Sequence, residues 1–497
     1  MDITTLPNDV FLLITEHLTP GDLIVSRGVS KSFYGAFTES DLSRRFLLKH
    51  YPRSRELRCV DKPASHDWAR DFSKVAGRYR HLRRGVPSSA EKLRLAKSLV
   101  LPAWSRQFPV SPWDRHLQFE DKIAPFHYPE PLWAYDGGVL IYPSAESQSY
   151  VLYNLNADTK SNIDIESEKK IVRRIRLNEN VLLCEWCEPE SYHQLNENES
   201  VYRHFATAYD VQESHDGQIS VVFRNEWKIH FLGLPLNSSD RFFSTHSSDH
   251  YALYVWQPNR SAWGEDEALE SLVIWNISSP SSYRPSEDPS GKGKPGDGSE
   301  GPRVIRRLSY VDLDFYKIRQ RSTPVLHRLE LDENHVYVVE ENHRWLVGKQ
   351  ASHTLPRLHQ VKTTGIPFHT GPRWQDECGA DGDANLSFCD RRSEARSPGK
   401  APCWRHEEFP YLTIAESVDS AAGVVFSARH CFMLETLSIN VKPKVMIGLG
   451  HGISLRDDLW PQLLNKGIIY GDERWLIGEN NKQEIVIIHF DDRKRSE

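Results

Sequence analysis

Apolar residues recur at two different periods along this chain, and the change of period divides it. Between residues 6 and 50, Val10, Leu13, Ile14, His17 and Leu18 stand at i, i+3, i+4, i+7 and i+8, the spacing of one helix face. Asn8 is placed to cap that helix. Thr19-Pro20-Gly21-Asp22 then offers a capping hydroxyl, a proline suited to the first helical position and a carboxylate near the positive end of the helix dipole. A second helix therefore starts there, with Leu23 on its apolar side. Val29, Phe33 and Phe37 repeat every four residues in a third segment. Ser40-Asp41 opens a fourth, carrying Leu42 and Phe46, which stops at Tyr51-Pro52. These segments predict a small all-α module over 1–50. Trp68, Phe72, Val75, Tyr79, Leu82, Leu93, Leu95 and Leu99 continue the helical reading through a connector over 51–124.

Beyond residue 125 the pattern becomes short apolar strands introduced by turn residues. Asp136-Gly137-Gly138 precedes 139–142, Asn178-Glu179-Asn180 precedes 181–186, and Asp216-Gly217-Gln218 precedes 219–223. Further turn signals stand at 248–250, 332–334, 420–423 and 465–467. Several starts lie roughly 40 to 45 residues apart, close to the repeat of one four-stranded propeller blade. Seven starts predict a β-propeller-like repeat domain over 125–497 of about seven blades, with six or eight also allowed. Arg344-Trp345-Leu346-Val347-Gly348 and Arg474-Trp475-Leu476-Ile477-Gly478 nearly repeat one another, which reads as internal repetition. The segment LVIWNI at 272–277 is similar to the strand that closes a WD-type blade, with Asn276 where Asp is usual. Two insertions interrupt the period. In 278–302, 17 of 25 residues are Gly, Pro or Ser, a composition that predicts a disordered loop. The other, 371–402, is polar and irregular.

Composition changes this picture little. The chain has 497 residues, with 62 Lys+Arg against 68 Asp+Glu, so overall charge points to neither a nucleic-acid binder nor an acidic tail. Locally, 42–106 carries 17 Lys+Arg against five Asp+Glu, the one strong asymmetry. Met1 to Thr5 offers no basic and apolar leader, and no apolar run approaches the ~20 residues of a membrane span. Seven cysteines without a paired spacing read as reduced thiols. These features predict a soluble intracellular chain, cytoplasmic, nuclear or both, with no membrane partner.

Motifs for chemistry are sparse. Gly291-x-Gly293-x-x-Gly296 meets the dinucleotide pattern but contains Pro295 and opens no helix. Cys184-x-x-Cys187 lies in a strand, where i and i+3 face opposite ways and cannot share one metal ion. Cys378, Cys389, Cys403 and His406 form a looser Cys3His set in which only the last pair has short spacing. No HExxH, Walker loop or GxSxG elbow occurs. We expect no catalytic residue, no metal and no cofactor. Arg173-Arg174-Ile175-Arg176, and Arg303 with Arg306 and Arg307, are candidate readers of a phosphorylated peptide, with ordinary strand-end arginines as the simpler reading.

Leu6-Pro7, Val10, Ile14 and Leu18, Asp22-Leu23, and Val29-Ser30-Lys31-Ser32-Phe33 together resemble the F-box. That pattern opens with Leu-Pro, runs through an amphipathic helix to Asp-Leu and ends in Val-Cys-Arg/Lys-x-Trp. Here Ser30 replaces the common Cys, Phe33 the common Trp, and Gly28 interrupts a helical stretch. The likeness covers about 45 of 497 residues. It implies a non-catalytic substrate receptor of an SCF-type cullin-RING ubiquitin ligase, acting in protein ubiquitination and degradation. The helical module would bind the SCF adaptor, and through it cullin, while the propeller holds an unknown target protein. Leu6, Pro7, Val10, Ile14, Leu18, Leu23, Val29 and Phe33 would divide between the module's own core and the adaptor interface. Two other classes stay open from the residues alone: a propeller-fold hydrolase or lyase, and a nucleic-acid-binding scaffold using 42–106.

Overall fold

The computed structural model describes residues 3–58, 66–96, 114–117, 126–129, 131–147, 149–163, 165, 170–194, 200–214, 217–230, 241–257, 267–295, 300–321, 325–345, 357–369, 374–381, 390–391, 412–419, 424–430, 435–441, 452–454, 459–463 and 468–491. The chain forms two compact units, Met1–Leu93 with Leu412–Glu497, and Arg94–Tyr411. It is mostly β-sheet, with a few helices at the N-terminal end.

In the first unit the helices are α1 (Asn8–Thr15), α2 (Pro20–Ser26), α3 (Lys31–Phe37), α4 (Ser40–His50), α5 (Arg55–Arg58) and α6 (Trp68–Arg84). Thr19 and Asp22 close a reciprocal capping box on α2, and the Ser30 hydroxyl accepts from the Phe33 amide at the start of α3. Pro7, rather than Asn8, occupies the cap position of α1. Gly85 ends α6 in the left-handed conformation at φ 62°, where a side chain would be strained. The connector expected to be helical over 51–124 then turns to strand, because Ser89–Arg94 pairs with the C-terminal strands. It forms one edge of a sheet whose other members are Glu484–His489, Trp475–Glu479 and Tyr470–Gly471. The Ser88 amide donates to the His489 carbonyl at 2.8 Å as this pairing begins. A further four-stranded antiparallel sheet spans 412–454.

The second unit holds four antiparallel meanders over 134–163, 171–228, 241–308 and 326–391, of four, four, four and five strands, and a separate hairpin of Asp114–Leu117 with Phe126–Pro129. Six successive meanders are thus present among the described residues, against seven turn signals. The surplus signal is the one at 216–218, which falls in sequence between the paired strands His204–Glu213 and Ile219–Lys228 of one sheet instead of ahead of a new one. The two Arg-Trp-Leu fragments also occupy different places. Trp475 begins its strand, whereas Trp345 ends the eleven-residue strand His335–Trp345. Gly478 is needed for its own reason, since a Cβ there would lie 2.1 Å from the Leu463 carbonyl of the helix Trp460–Leu463.

Inner strands of these meanders, such as Tyr150–Asn154, Val181–Cys187 and His250–Gln257, are apolar at most positions, because both faces of the sheet are covered there. In His250–Gln257, Tyr251, Leu253 and Val255 join a core with Val181, Leu183, Ala206 and Trp227 of the preceding sheet. The alternate residues Ala252 and Tyr254 join a core with Val336, Val338 and Ile366 of the following one. A third core lies between the 134–163 and 171–228 sheets, around Ile141, Leu152, Ile175 and Phe205.

Arginines proposed as peptide readers are partly consumed in these contacts. Arg174, Arg176 and Asn178 share one face of Ile171–Asn178 and reach the first strand of the next sheet. Arg174 donates to the Phe242 carbonyl at 2.7 Å, Arg176 to Ser244 Oγ at 3.2 Å, and Asn178 to the His246 carbonyl at 2.7 Å. Arg174 is buried and pairs with Glu185 at 3.2 Å, which also accepts from Tyr251 Oη at 2.7 Å. Arg306 is bound by the Pro367 and His369 carbonyls, while Arg303 and Arg307 stay exposed.

The 278–302 insert takes a defined course over its described part. The Ser281 amide bonds to the Arg224 carbonyl at 2.9 Å, Asn225 Nδ2 holds the Ile277 and Ser279 carbonyls, and the Arg284 guanidinium lies 4.3 Å from the Phe223 ring centroid. Asp288 accepts from the Gly293 amide at 2.7 Å, so an amide of the dinucleotide-like glycine run is spent on the chain's own carboxylate. Composition overlooked this because turns and side-chain carboxylates can satisfy backbone groups where no apolar core exists.

One ionic cluster joins α6 to the terminal sheet. The Arg78 guanidinium is fully buried and donates to Asp491 at 2.6 Å and Glu56 at 2.7 Å, with Glu473 3.6 Å away. Burial pulls its pKa down, but Asp491 and Glu56 outweigh this and hold it above the ordinary arginine value. Arg55 extends the cluster to Glu473 at 2.7 Å and Asp472 at 3.0 Å.

Two stability predictions follow from this packing. Arg78→Met strands three acidic neighbours, and we expect a loss of about 3–5 kcal/mol in urea unfolding. Lys74→Ala removes only a half-exposed partner of Asp491 at 3.4 Å and should cost under about 1 kcal/mol. Equal losses would contradict the assignment. His246, buried with Nε2 2.9 Å from the Val181 carbonyl, is pushed by burial from 6.5 down to about 4. Below pH 6.5 the unfolded chain therefore takes up a proton that the folded chain does not. Stability contributed by this group is complete above that pH and declines as pH falls toward 4, by roughly 2 kcal/mol at pH 5. His246→Gln should flatten the fall in thermal midpoint between pH 7 and 5, and an unchanged slope would refute the role.

Candidate functional site: an exposed apolar face on the N-terminal helices

Residues 10–14 of α1 read Val-Phe-Leu-Leu-Ile, apolar all round, so a single neighbouring surface cannot cover them. Phe11 turns inward and meets Phe37 edge-on, with ring centroids 5.3 Å apart. It joins a core of Leu23, Phe37, Leu42, Phe46, Leu47, Phe72 and Val75, against which Leu12, Leu18 and Phe33 pack in part. The opposite stripe of Val10, Leu13 and Ile14 is left 42, 62 and 37% exposed. The helical period in the sequence located this stripe correctly, yet it is the outer face of the helix. His17 and Leu18, expected to prolong it, lie beyond the end of α1 at Thr15.

α2 repeats the arrangement. Leu23 is 1% exposed in the core, whereas Val25, and Val29 just past the helix, are 73 and 64% exposed. Arg27 fixes α2 to α6 by donating to the Ala69 carbonyl at 3.2 Å and to Ser73, with its guanidinium 5.7 Å from the Phe72 centroid. Of the residues named from the F-box-like pattern, Pro7, Val10, Ile14 and Val29 are thus exposed. Leu6, Leu18 and Phe33 are half-buried, and Leu23 is internal. Leu13, Val25 and Tyr34 are exposed apolar side chains that the motif did not single out. Its helical spacing from Val10 is the signal that marks Leu13 in the sequence.

Chemically, this face offers the aliphatic surface of Val10, Leu13 and Ile14, with Asp9 in the first turn the one charged side chain of α1. Burying a side chain of this kind fully contributes about 1.5–3 kcal/mol, so three or four of them suffice to hold a protein partner. A contiguous aliphatic stripe on a short helix suits helix-against-helix docking.

The other candidate chemistry falls elsewhere. Cys184 packs in the core between the 134–163 and 171–228 sheets, and Cys187 packs with Ile171 and Tyr202. Burial pushes both thiols up to about 12, so both are protonated at neutral pH and are poor metal ligands. The side chain of Cys378, and Cys389, Cys403 and His406 altogether, lie outside the described residues. Among the described residues no group of three or more His, Cys, Asp or Glu could hold a metal ion. Nor is any helix there long and apolar enough to cross a membrane.

No protein-family model and no curated protein matches this chain. Among solved structures, the β-propeller domain of Myceliophteria thermophila Cps50 (Swd1) aligns with 71% of this chain and 81% of its own, at 10% identity and a TM-score of 0.24. Trypanosoma rangeli sialidase, in complex with 2,3-difluorosialic acid as a covalent intermediate, aligns with 81% of this chain and 59% of its own. Its identity is 8% and its TM-score 0.27. At these scores the likenesses identify no family and carry no functional argument.

Proposed function

We propose that this chain is a substrate-recognition subunit of an SCF-type cullin-RING ubiquitin ligase. Its N-terminal helices bind the adaptor, and its sheets, read as blades of a β-propeller, present a target protein. The observation that carries the reading is the stripe Val10, Leu13 and Ile14, left exposed on a helix whose other side is already buried. It coincides with the segment whose order and spacing resemble the F-box. Six consecutive meanders, and cores shared between successive sheets within the second unit, support the propeller part. A receptor of this kind makes and breaks no bond itself. It raises the effective concentration of the target beside the charged conjugating enzyme.

The test is co-purification of the full chain with recombinant adaptor. Val10→Asp with Ile14→Asp places two charges on the exposed stripe without touching the core, so the variant should unfold at the same temperature as the parent. We expect its adaptor affinity to fall at least about 100-fold, since desolvating two carboxylates at an apolar contact costs several kcal/mol. Retained binding by the variant, or no binding by the intact chain, would overturn the proposal.

A further inference from the structure

Arg55 and Arg78 of the basic segment 42–106 are spent in the buried ionic cluster, and its other arginines are not evenly spread. Ser73, Ala76, Gly77, Arg80 and Arg84 lie at i, i+3, i+4, i+7 and i+11 along one side of α6, with Arg83 beside them. The small residues of that stripe face α2 and leave a groove of about 630 Å³, lined on the other side by Ile24 and Val25. Val25 is the most exposed aliphatic side chain of the helical module, at 73%. Arg80, Arg83 and Arg84 also line the groove, and none of its lining residues is an Asp or Glu. Among the described residues none of the three arginines forms an ion pair. The C-terminal end of α6 offsets roughly half a charge, so the groove stays strongly positive. Its neighbours register this field. His50 is lowered first by burial and then by Lys49 and Arg83.

An apolar wall beside three uncompensated guanidinium groups fits one class of occupant better than others. Nucleic acid bound as a single strand stacks its bases on open aromatic faces. Here Tyr51 and Tyr79, which also line the groove, pack against each other with centroids 4.8 Å apart. A peptide instead supplies carboxylates for the arginines and an aliphatic side chain for Ile24 and Val25.

We propose that the groove between α2 and α6 is a docking site for an acidic peptide segment of a partner protein, with its carboxylates on Arg80, Arg83 and Arg84 and an aliphatic anchor against Ile24 and Val25. This site is separate from the Val10, Leu13 and Ile14 stripe and does not depend on the ligase reading.

Fluorescence anisotropy on the full chain tests it. The probes are a labelled peptide of repeated Glu-Glu-Leu triplets, its Gln-Gln-Leu counterpart and an oligouridine of equal length. We expect the acidic peptide to bind at least about tenfold more tightly than either control, with affinity falling as salt rises. Arg80→Glu with Arg83→Glu alters exposed side chains only, and should weaken the acidic peptide at least about tenfold while leaving the thermal midpoint unchanged. Ala76→Leu, which fills the groove and keeps all charges, should weaken the same peptide. Equal binding of the acidic and neutral peptides, tighter binding of oligouridine, or unaltered affinity in both variants would each overturn the proposal.

Discussion

A guanidinium with no contact to water needs partners for its charge and its N–H groups, and at Arg78 those partners tie the helical module to the sheet made by the end of the chain. Asp491 lies just after the last strand, Glu473 lies in the turn before Trp475, and Glu56 belongs to α5. Arg78 and Glu473 are buried, and the half-buried carboxylates of Glu56 and Asp491 offset the cost of burying the guanidinium. The strand Ser89–Arg94 adds a second tie between the same parts by completing the terminal sheet. The helices that carry the exposed stripe are therefore an integral part of this unit and not a tethered appendage. On the proposed function, a partner docked on α1 is held in fixed relation to the terminal sheet, as delivery of a bound target requires.

The second unit follows from a different constraint. Sheets that are apolar on both faces must be stacked, so each of the strands Val181–Cys187 and His250–Gln257 serves two cores at once. Where polar groups enter these layers they are matched across sheets, as Arg174 is with Glu185, Ser244 and the Phe242 carbonyl. Such matching explains why an arginine-rich strand beginning belongs to the interior here, and why Arg173 and Arg174 are both buried.

The sequence pattern made much of this architecture legible. Helical spacing located α1 to α4, and the capping residues at Thr19 and Asp22 do what their types imply. The turn signals at 136–138, 178–180, 248–250 and 332–334 each join the first two strands of a sheet. Three things were not legible, each for a physical reason. Period alone cannot say which side of α1 is buried when residues 10–14 are apolar all round, so the spacing that groups Val10, Leu13 and Ile14 does not mark them as the outer face or Phe11 as their inward partner. A turn such as 216–218 looks the same inside a meander as between two of them, so seven turn signals stand against six meanders among the described residues. The buried cluster around Arg78 joins residues more than 400 positions apart, and no local pattern reports a contact of that range.

Adaptor docking through the outer stripe of α1 is the central claim, and hydrogen–deuterium exchange on the intact chain, with and without the adaptor, tests it most directly. The account predicts that the adaptor slows exchange in peptides covering 8–15 and leaves the strands of the 171–228 and 241–308 sheets unchanged. Protection confined to the sheets, with α1 exchanging as fast as in the free chain, would contradict it.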